Sequence, residues 1–214
     1  MSALPTGGVA GEKMKIKLIL ITIFFAAICS DSFAITGDEA LANFRGRMSR
    51  IGKLTGIISW SSSAGETYTG SFKYLSPNKI YVKFSNPSGK TIVSNGRSLW
   101  VYSPASNICG VQDLGGGGSG GIAAFTSGYM AIVTASGPGG YTIKLKNNES
   151  TFNEIILVTD SSFFLRKATM RTKSGVTYEF TLSNVSAEAA VIPSIFDFTV
   201  PASAQIVKNP LNIK

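Results

Sequence analysis

Residues 71–104 read SFKYLSPNKIYVKFSNPSGKTIVSNGRSLWVYSP, and this stretch decides the fold class. Phe72 and Tyr74 share a face, and the Ser76-Pro77-Asn78 turn leads into Ile80, Val82 and Phe84, which alternate with Tyr81 and Lys83. Asn86-Pro87-Ser88-Gly89 turns the chain into Thr91-Ile92-Val93. Asn95-Gly96 is a tight-hairpin signal ahead of Leu99-Trp100-Val101-Tyr102. An apolar period of two, broken roughly every eight to twelve residues by turn chemistry, predicts an antiparallel meander in a barrel or sandwich.

Working outward, the same period holds on both sides. Leu54, Gly56, Ile58 and Trp60 alternate with Thr55, Ile57, Ser59 and Ser61, and a polar turn at residues 62–65 leads into Thr67–Leu75. Upstream of these strands, Asp38 reads as an N-cap, and Ala40, Leu41, Phe44, Met48 and Ile51 recur at helical spacing, with Arg45, Arg47 and Arg50 mainly on the other side. This amphipathic helix must lay its stripe on something. Downstream, Cys109 to Leu114 reads as a strand, and Gly115 to Gly121, six Gly and one Ser, reads as a hinge. Ile122, Phe125, Tyr129 and Val133 then follow at helical spacing with no charge among them, which predicts a helix over 122–133 ended by Ser136-Gly137-Pro138-Gly139-Gly140. Such a helix is either a plug packed in the core or a lid over an apolar cavity, and glycine on both sides favours the lid. Strands resume at Tyr141 to Leu145, Glu154 to Thr159, Phe163 to Thr172 and Gly175 to Asn184, the last with Val176, Tyr178, Phe180 and Leu182 on one face. Pro193 to Phe196 reads as a short turn, and the tail after Gln205 as extended and partly exposed.

The first 34 residues read as an export signal. Lys13, Lys15 and Lys17 precede an apolar run from Leu18 to Ile28, interrupted only by Thr22, and Ser32-Phe33-Ala34 places small residues at the two positions a signal peptidase reads. That run is about half of the ~20 residues needed to span a bilayer. The expected product is one domain over 35–214, cleaved after Ala34 and released into the periplasm, with Met14 an alternative start. Cys29, at the end of the apolar run, keeps a lipoprotein signal open as a rival, although Ile28 stands where a small residue is normally needed.

Composition then restricts the chemistry. The chain has no His, which removes the usual general base and with it Ser-His-Asp and Cys-His mechanisms. After cleavage Cys109 is the one remaining cysteine, so neither a disulfide nor a Cys–His metal site can form, and a buried structural thiol is expected. The acids form no close pair at an acid/base spacing, and the Gly run lacks the Lys-Ser/Thr of a phosphate-binding loop. No enzyme and no cofactor are expected. The net charge is +8, and residues 35–214 keep 17 basic and 10 acidic residues. This favours anionic partners, but export argues against nucleic acid, and the scatter of Lys73, Lys79, Lys83, Lys90 and Arg97 fits a solvated face. Apolar surface for a ligand or a core is what remains.

The residues resemble a family at this point. The pattern Phe72-x-Tyr74-x-Ser76-Pro77-x-x-Ile80-Tyr81-x-Lys83-Phe84-x-x-Pro87, then Ile92 to Pro104 with its Gly96-x-x-Leu99-Trp100-Val101-Tyr102-x-Pro104 hairpin, is similar to the outer-membrane lipoprotein carrier (LolA) family. Phe196-x-Phe198-x-Val200-Pro201 resembles the family's closing segment, so the resemblance spans about residues 37–208. It implies a mainly β fold with a few helices (α+β). This would be an incomplete antiparallel β-barrel with an N-terminal helix and a mid-chain lid helix covering an apolar cavity. The implied ligand is the acyl chains of lipoproteins, bound by a monomer that takes them from an inner-membrane ABC release complex and passes them to an outer-membrane acceptor. Ile58, Trp60, Phe72, Tyr74, Ile80, Val82, Phe84, Leu99, Val101, Ile122, Phe125 and Tyr129 are the residues expected at the cavity and lid. One departure stands out: typical carriers have an Arg, thought to hold the lid shut, where this chain has Ser76. Relatives of the fold also act as tethered acceptors, glycolipid carriers or envelope-stress sensors.

Overall fold

Helix α1 (Gly37–Ser49) opens the folded part of the chain in a computed structural model that describes residues 35–114 and 126–208. Thr36, not Asp38, is its N-cap: the Thr36 side chain accepts a hydrogen bond from the Glu39 backbone N–H at 3.2 Å. Asp38 and Glu39 instead fill the first turn and Arg47 the last, each with the sign the helix dipole favours. The predicted stripe is the buried face, and Ala40 and Phe44 are completely inaccessible. The start of α1 lies directly on a strand of the sheet. A Cβ at Gly37 would fall within 1.9 Å of the Ala131 carbonyl oxygen, so only glycine permits this approach.

Among the described residues, twelve strands follow in one sheet. They are β1 (Lys53–Ser62), β2 (Thr67–Leu75), β3 (Lys79–Asn86), β4 (Ser88–Asn95), β5 (Ser98–Ser103), β6 (Ile108–Asp113), β7 (Met130–Gly137), β8 (Gly140–Lys146), β9 (Phe152–Thr159), β10 (Leu165–Thr172), β11 (Thr177–Ser186) and β12 (Gln205–Lys208). The order across the sheet is β12-β6-β5-β4-β3-β2-β1-β11-β10-β9-β8-β7. Two antiparallel meanders, β1 to β6 and β7 to β11, are therefore joined where β11 pairs with β1. The sheet stays open, with β7 at one edge and β12, parallel to β6, at the other.

The helix expected over 122–133 is not what the described residues form. Thr126 to Gly128 is a turn, and Met130 onward is strand β7, antiparallel to β8. Tyr129 and Val133 are four apart, a spacing that satisfies a period of two as well as a helical one. The competing demand is tertiary: Ile143 and Leu145 of β8 need an apolar strand beside them, and Val133 and Ala131 pair with them. The proposed hinge at 115–121, and the candidate lid residues Ile122 and Phe125, lie outside the described residues, as does the export segment.

The core occupies one face of the sheet, termed inner. Leu54, Phe72, Val82, Phe84, Ile143, Leu145, Ile155, Leu157, Ala168 and Leu182 share a cluster with the α1 stripe and Ile51. The helix crosses β7 and β8, so the two meanders are covered unequally. A smaller core lies on the outer face of β3 to β6. There Val93 and Cys109 are fully buried, the 3-10 turn Pro193–Phe196 packs on β3 and β4, and Phe198 meets the rings of Trp100 and Tyr102 at 6.2 and 6.1 Å. Burial pushes the Cys109 thiol up, the direction expected of a thiol packed in an apolar core.

The β9–β10 turn is organised by one carboxylate. Asp160 Oδ1 accepts from the Ser162 backbone N–H (2.9 Å), the Ser162 hydroxyl (2.7 Å) and the Phe164 backbone N–H (3.0 Å), and Oδ2 accepts from Arg166 at 2.8 Å. Partial burial pushes the Asp160 carboxyl up, but these bonds outweigh it and hold the group below the usual carboxylate range. Glu154 is held down as well, chiefly by its hydrogen bond from Lys144, with which it makes a 2.7 Å ion pair. A carboxyl lowered by folding adds stability above its unfolded pKa of about 4, and that stability is lost as pH falls through the lower folded value. Asp160→Ala is expected to cost about 1–3 kcal/mol at pH 7. Urea melts should show that difference shrinking below about pH 4, and a difference independent of pH would rule out this role for the charge.

Candidate functional site

Strand register brings the candidate residues together. In β1, Leu54, Gly56, Ile58 and Trp60 face inward, opposite Tyr74, Phe72, Gly70 and Tyr68 of β2. Continuing outward, Tyr74 pairs with Ile80, Phe72 with Val82 and Gly70 with Phe84; Val82 pairs with Ile92, and Ile92 with Val101. Ser94 pairs with Leu99, so Leu99 belongs to the same face. On the other side Ile58 pairs with Leu182 and Trp60 with Phe180. Ile58, Trp60, Phe72, Tyr74, Ile80, Val82, Phe84, Leu99 and Val101 thus share a single face. Phe72, Val82 and Phe84 are buried, while the other six are only half-buried.

The difference follows from what lies above them. Phe72 folds its ring over Gly56, where a Cβ would come within 2.8 Å of the ring, so a glycine in β1 lets an aromatic from β2 lie flat on the sheet. Among the described residues, α1 covers β7 and β8, and nothing comparable covers β1 to β5. Among the described residues, the inner face of the first meander therefore continues from the core as a partly covered apolar surface.

One end of that surface is aromatic. Phe152, Tyr178, Trp60, Tyr68 and Phe84 form a continuous row across β9, β11, β1, β2 and β3. Successive ring centroids are 6.2, 5.9, 5.4 and 5.3 Å apart. Lys90 of β4 sits on Tyr68 of this row: its ammonium donates to the Tyr68 hydroxyl at 2.8 Å and lies 4.2 Å from the ring centroid. Sequence reasoning placed Tyr178 and Phe180 on one face but left them, with Tyr68, Phe152 and Lys90, out of the site. Their alternation was visible, but their partners across β1 and β11 were not.

Tyr129 is half-buried against the core, and its hydroxyl donates to the Phe152 carbonyl at 2.7 Å, which fixes the entry to β7. Arg45 of α1 ties down the preceding turn by donating to the Thr126 hydroxyl at 2.9 Å and the Thr126 carbonyl at 2.5 Å. Trp100 is on the opposite face, against Phe198. Among the described residues no three His, Cys, Asp or Glu side chains come together to hold a metal ion. Chemically, the described residues of this face offer apolar contact, aromatic faces and the Lys90 ammonium.

The family model described as "Outer membrane lipoprotein carrier protein LolA" matches residues 59–199. The chain is similar to an outer-membrane lipoprotein carrier protein of Shewanella woodyi, with 26% identity over 149 residues, 67% of this chain and 71% of that protein. A relative of the same description from Haemophilus ducreyi is 21% identical over 206 residues, covering 91% of this chain and 96% of the relative. In fold, the chain is similar to the crystal structure of an uncharacterized conserved protein from Thermus thermophilus, with a TM-score of 0.54 and 14% identity. That match covers 80% of this chain and 98% of the other.

Proposed function

Because the chain belongs to the family of outer membrane lipoprotein carrier proteins, LolA, we propose that it carries lipoproteins with their acyl chains laid against the inner face of β1 to β5. The observation that carries this reading is the half-buried apolar set Ile58, Trp60, Tyr74, Ile80, Leu99 and Val101, aligned on one face by register. Acyl chains gain ~0.8 kcal/mol for each methylene they bury there, and the surface asks nothing of the cargo's sequence. In this reading the protein acts in the periplasm after cleavage at Ala34. It receives cargo from an inner-membrane ABC release complex, delivers it to an outer-membrane acceptor and is not an enzyme. Ser76 stands where typical carriers have their latching Arg, so any closure over the cargo uses another group.

A photo-crosslinking amino acid at Leu99, in protein isolated from its own envelope, should capture acylated lipoproteins and not their unacylated Cys→Ser forms. Equal capture of both, or of neither, would sink the reading. Mass spectrometry of the N-terminus in the same sample reports the processing: a chain starting at Ile35 fits a free carrier, and a diacylated Cys29 selects a tethered acceptor.

A further inference from the structure

We propose that the aromatic end of the inner face is a headgroup site, at which Lys90 binds the anionic phosphodiester of a lipid whose chains lie along β1 to β5. The inference rests on the acyl-binding reading above and adds a ligand class to it. Lys90 is a charged residue of β4 placed on the inner face by its contact with Tyr68, which pairs with the inward Trp60. A cation on an otherwise apolar face carries a desolvation cost unless a partner meets it. Its contacts are the Tyr68 hydroxyl and ring, and it makes no ion pair among the described residues. Tyr68, which it touches, and Trp60 and Tyr178 further along the row are amphipathic rings of the kind that suit a boundary between apolar chains and a polar head. The ammonium keeps donors beyond the one given to Tyr68, and a phosphodiester oxygen is a charge-matched acceptor for them.

The two tryptophans provide the test, because Trp60 is in the aromatic row and Trp100 is on the opposite face. Phosphatidylglycerol and diacylglycerol with matched brominated chains, delivered from cyclodextrin, should both quench Trp60 and leave Trp100 bright. Phosphatidylglycerol should bind about tenfold more tightly, the scale of one charge-assisted hydrogen bond. Lys90→Met should erase that preference while keeping diacylglycerol binding, and Lys90→Arg should retain it. A preference unchanged in Lys90→Met overturns the headgroup site but leaves the acyl reading standing. No quenching of Trp60 by either lipid overturns both. Displacement of phosphatidylglycerol by free glycerol phosphate at comparable concentration would show a phosphate site with no need of chains, and would also overturn the proposal.

Discussion

Phe44→Ala is expected to remove about 3–5 kcal/mol of stability. Phe44 is completely inaccessible at the centre of the α1 stripe, between Leu41 and Met48 and within the cluster that includes Ile143, Leu145 and Leu157. Alanine removes the ring's transfer energy and leaves a hole that the sheet cannot close, because a twelve-stranded hydrogen-bonded ladder does not shift for one side chain. The helix has few other attachments: the approach at Gly37 and the Arg45 bonds to Thr126 hold it laterally, but burial of the stripe holds it down. For a domain of this size Tm should fall on the order of 10 °C. Met130→Ala is the matched control, since Met130 is 73% exposed on β7 and should change stability by less than about 0.5 kcal/mol. A loss below about 1 kcal/mol in Phe44→Ala would mean that α1 is not seated on the sheet as described.

Leu99→Asp should leave the protein folded and cut capture of acylated lipoproteins by at least about tenfold. Leu99 is half-buried on β5, so its carboxylate can reach water in the empty protein and folding tolerates the change. Acyl chains laid over it would exclude that water. They would then either desolvate a charge without a partner or give up the several methylene contacts nearest to it. The control is Ser71→Asp, which makes the same charge change on the exposed outer side of β2, opposite Lys83. Crosslink yield against cargo concentration, with the photo-crosslinking residue moved to the half-buried Val101 of the same face, measures both. Equal losses in the two variants would attribute the effect to net charge, and the inner face would lose its role.

The first meander was legible because its information is local. Alternation over Thr67 to Leu75 and Lys79 to Phe84, with turn residues between, leaves one way to pair neighbouring strands, and pairing in register determines which side chains share a face. That is why Ile58, Phe72, Val82 and Leu99 could be grouped from sequence and are on one side of the sheet. Thr36 was missed as N-cap because Asp38 is as good a capping residue, and only the Thr36 contact with the Glu39 N–H separates the two. Lys90 was read as part of a solvated face for a similar reason. A lysine near a strand end reads as solvated, and its inward direction appears only once the pairing with β3 and the contact with Tyr68 are fixed.

By itself, the sequence determined the period-two strands, the turns between them, the buried stripe of α1 and the apolar character of one sheet face. Each depends on residues within a few positions of one another. Three things were decided only by the tertiary structure. Residues 130–137 became strand β7 because Ile143 and Leu145 required an apolar edge partner, and no local pattern could outvote that burial. Pairing of β1 with β11 joined the two meanders and lined up Trp60, Tyr68 and Tyr178, residues far apart in the chain. The closing segment placed Phe196 beside β3 and β4 and Phe198 against Trp100 and Tyr102 on the outer face, and among the described residues nothing comparable covers the inner face of β1 to β5. Contacts between distant segments are set by which apolar surfaces remain unburied after local folding, and that remainder is a property of the whole sheet.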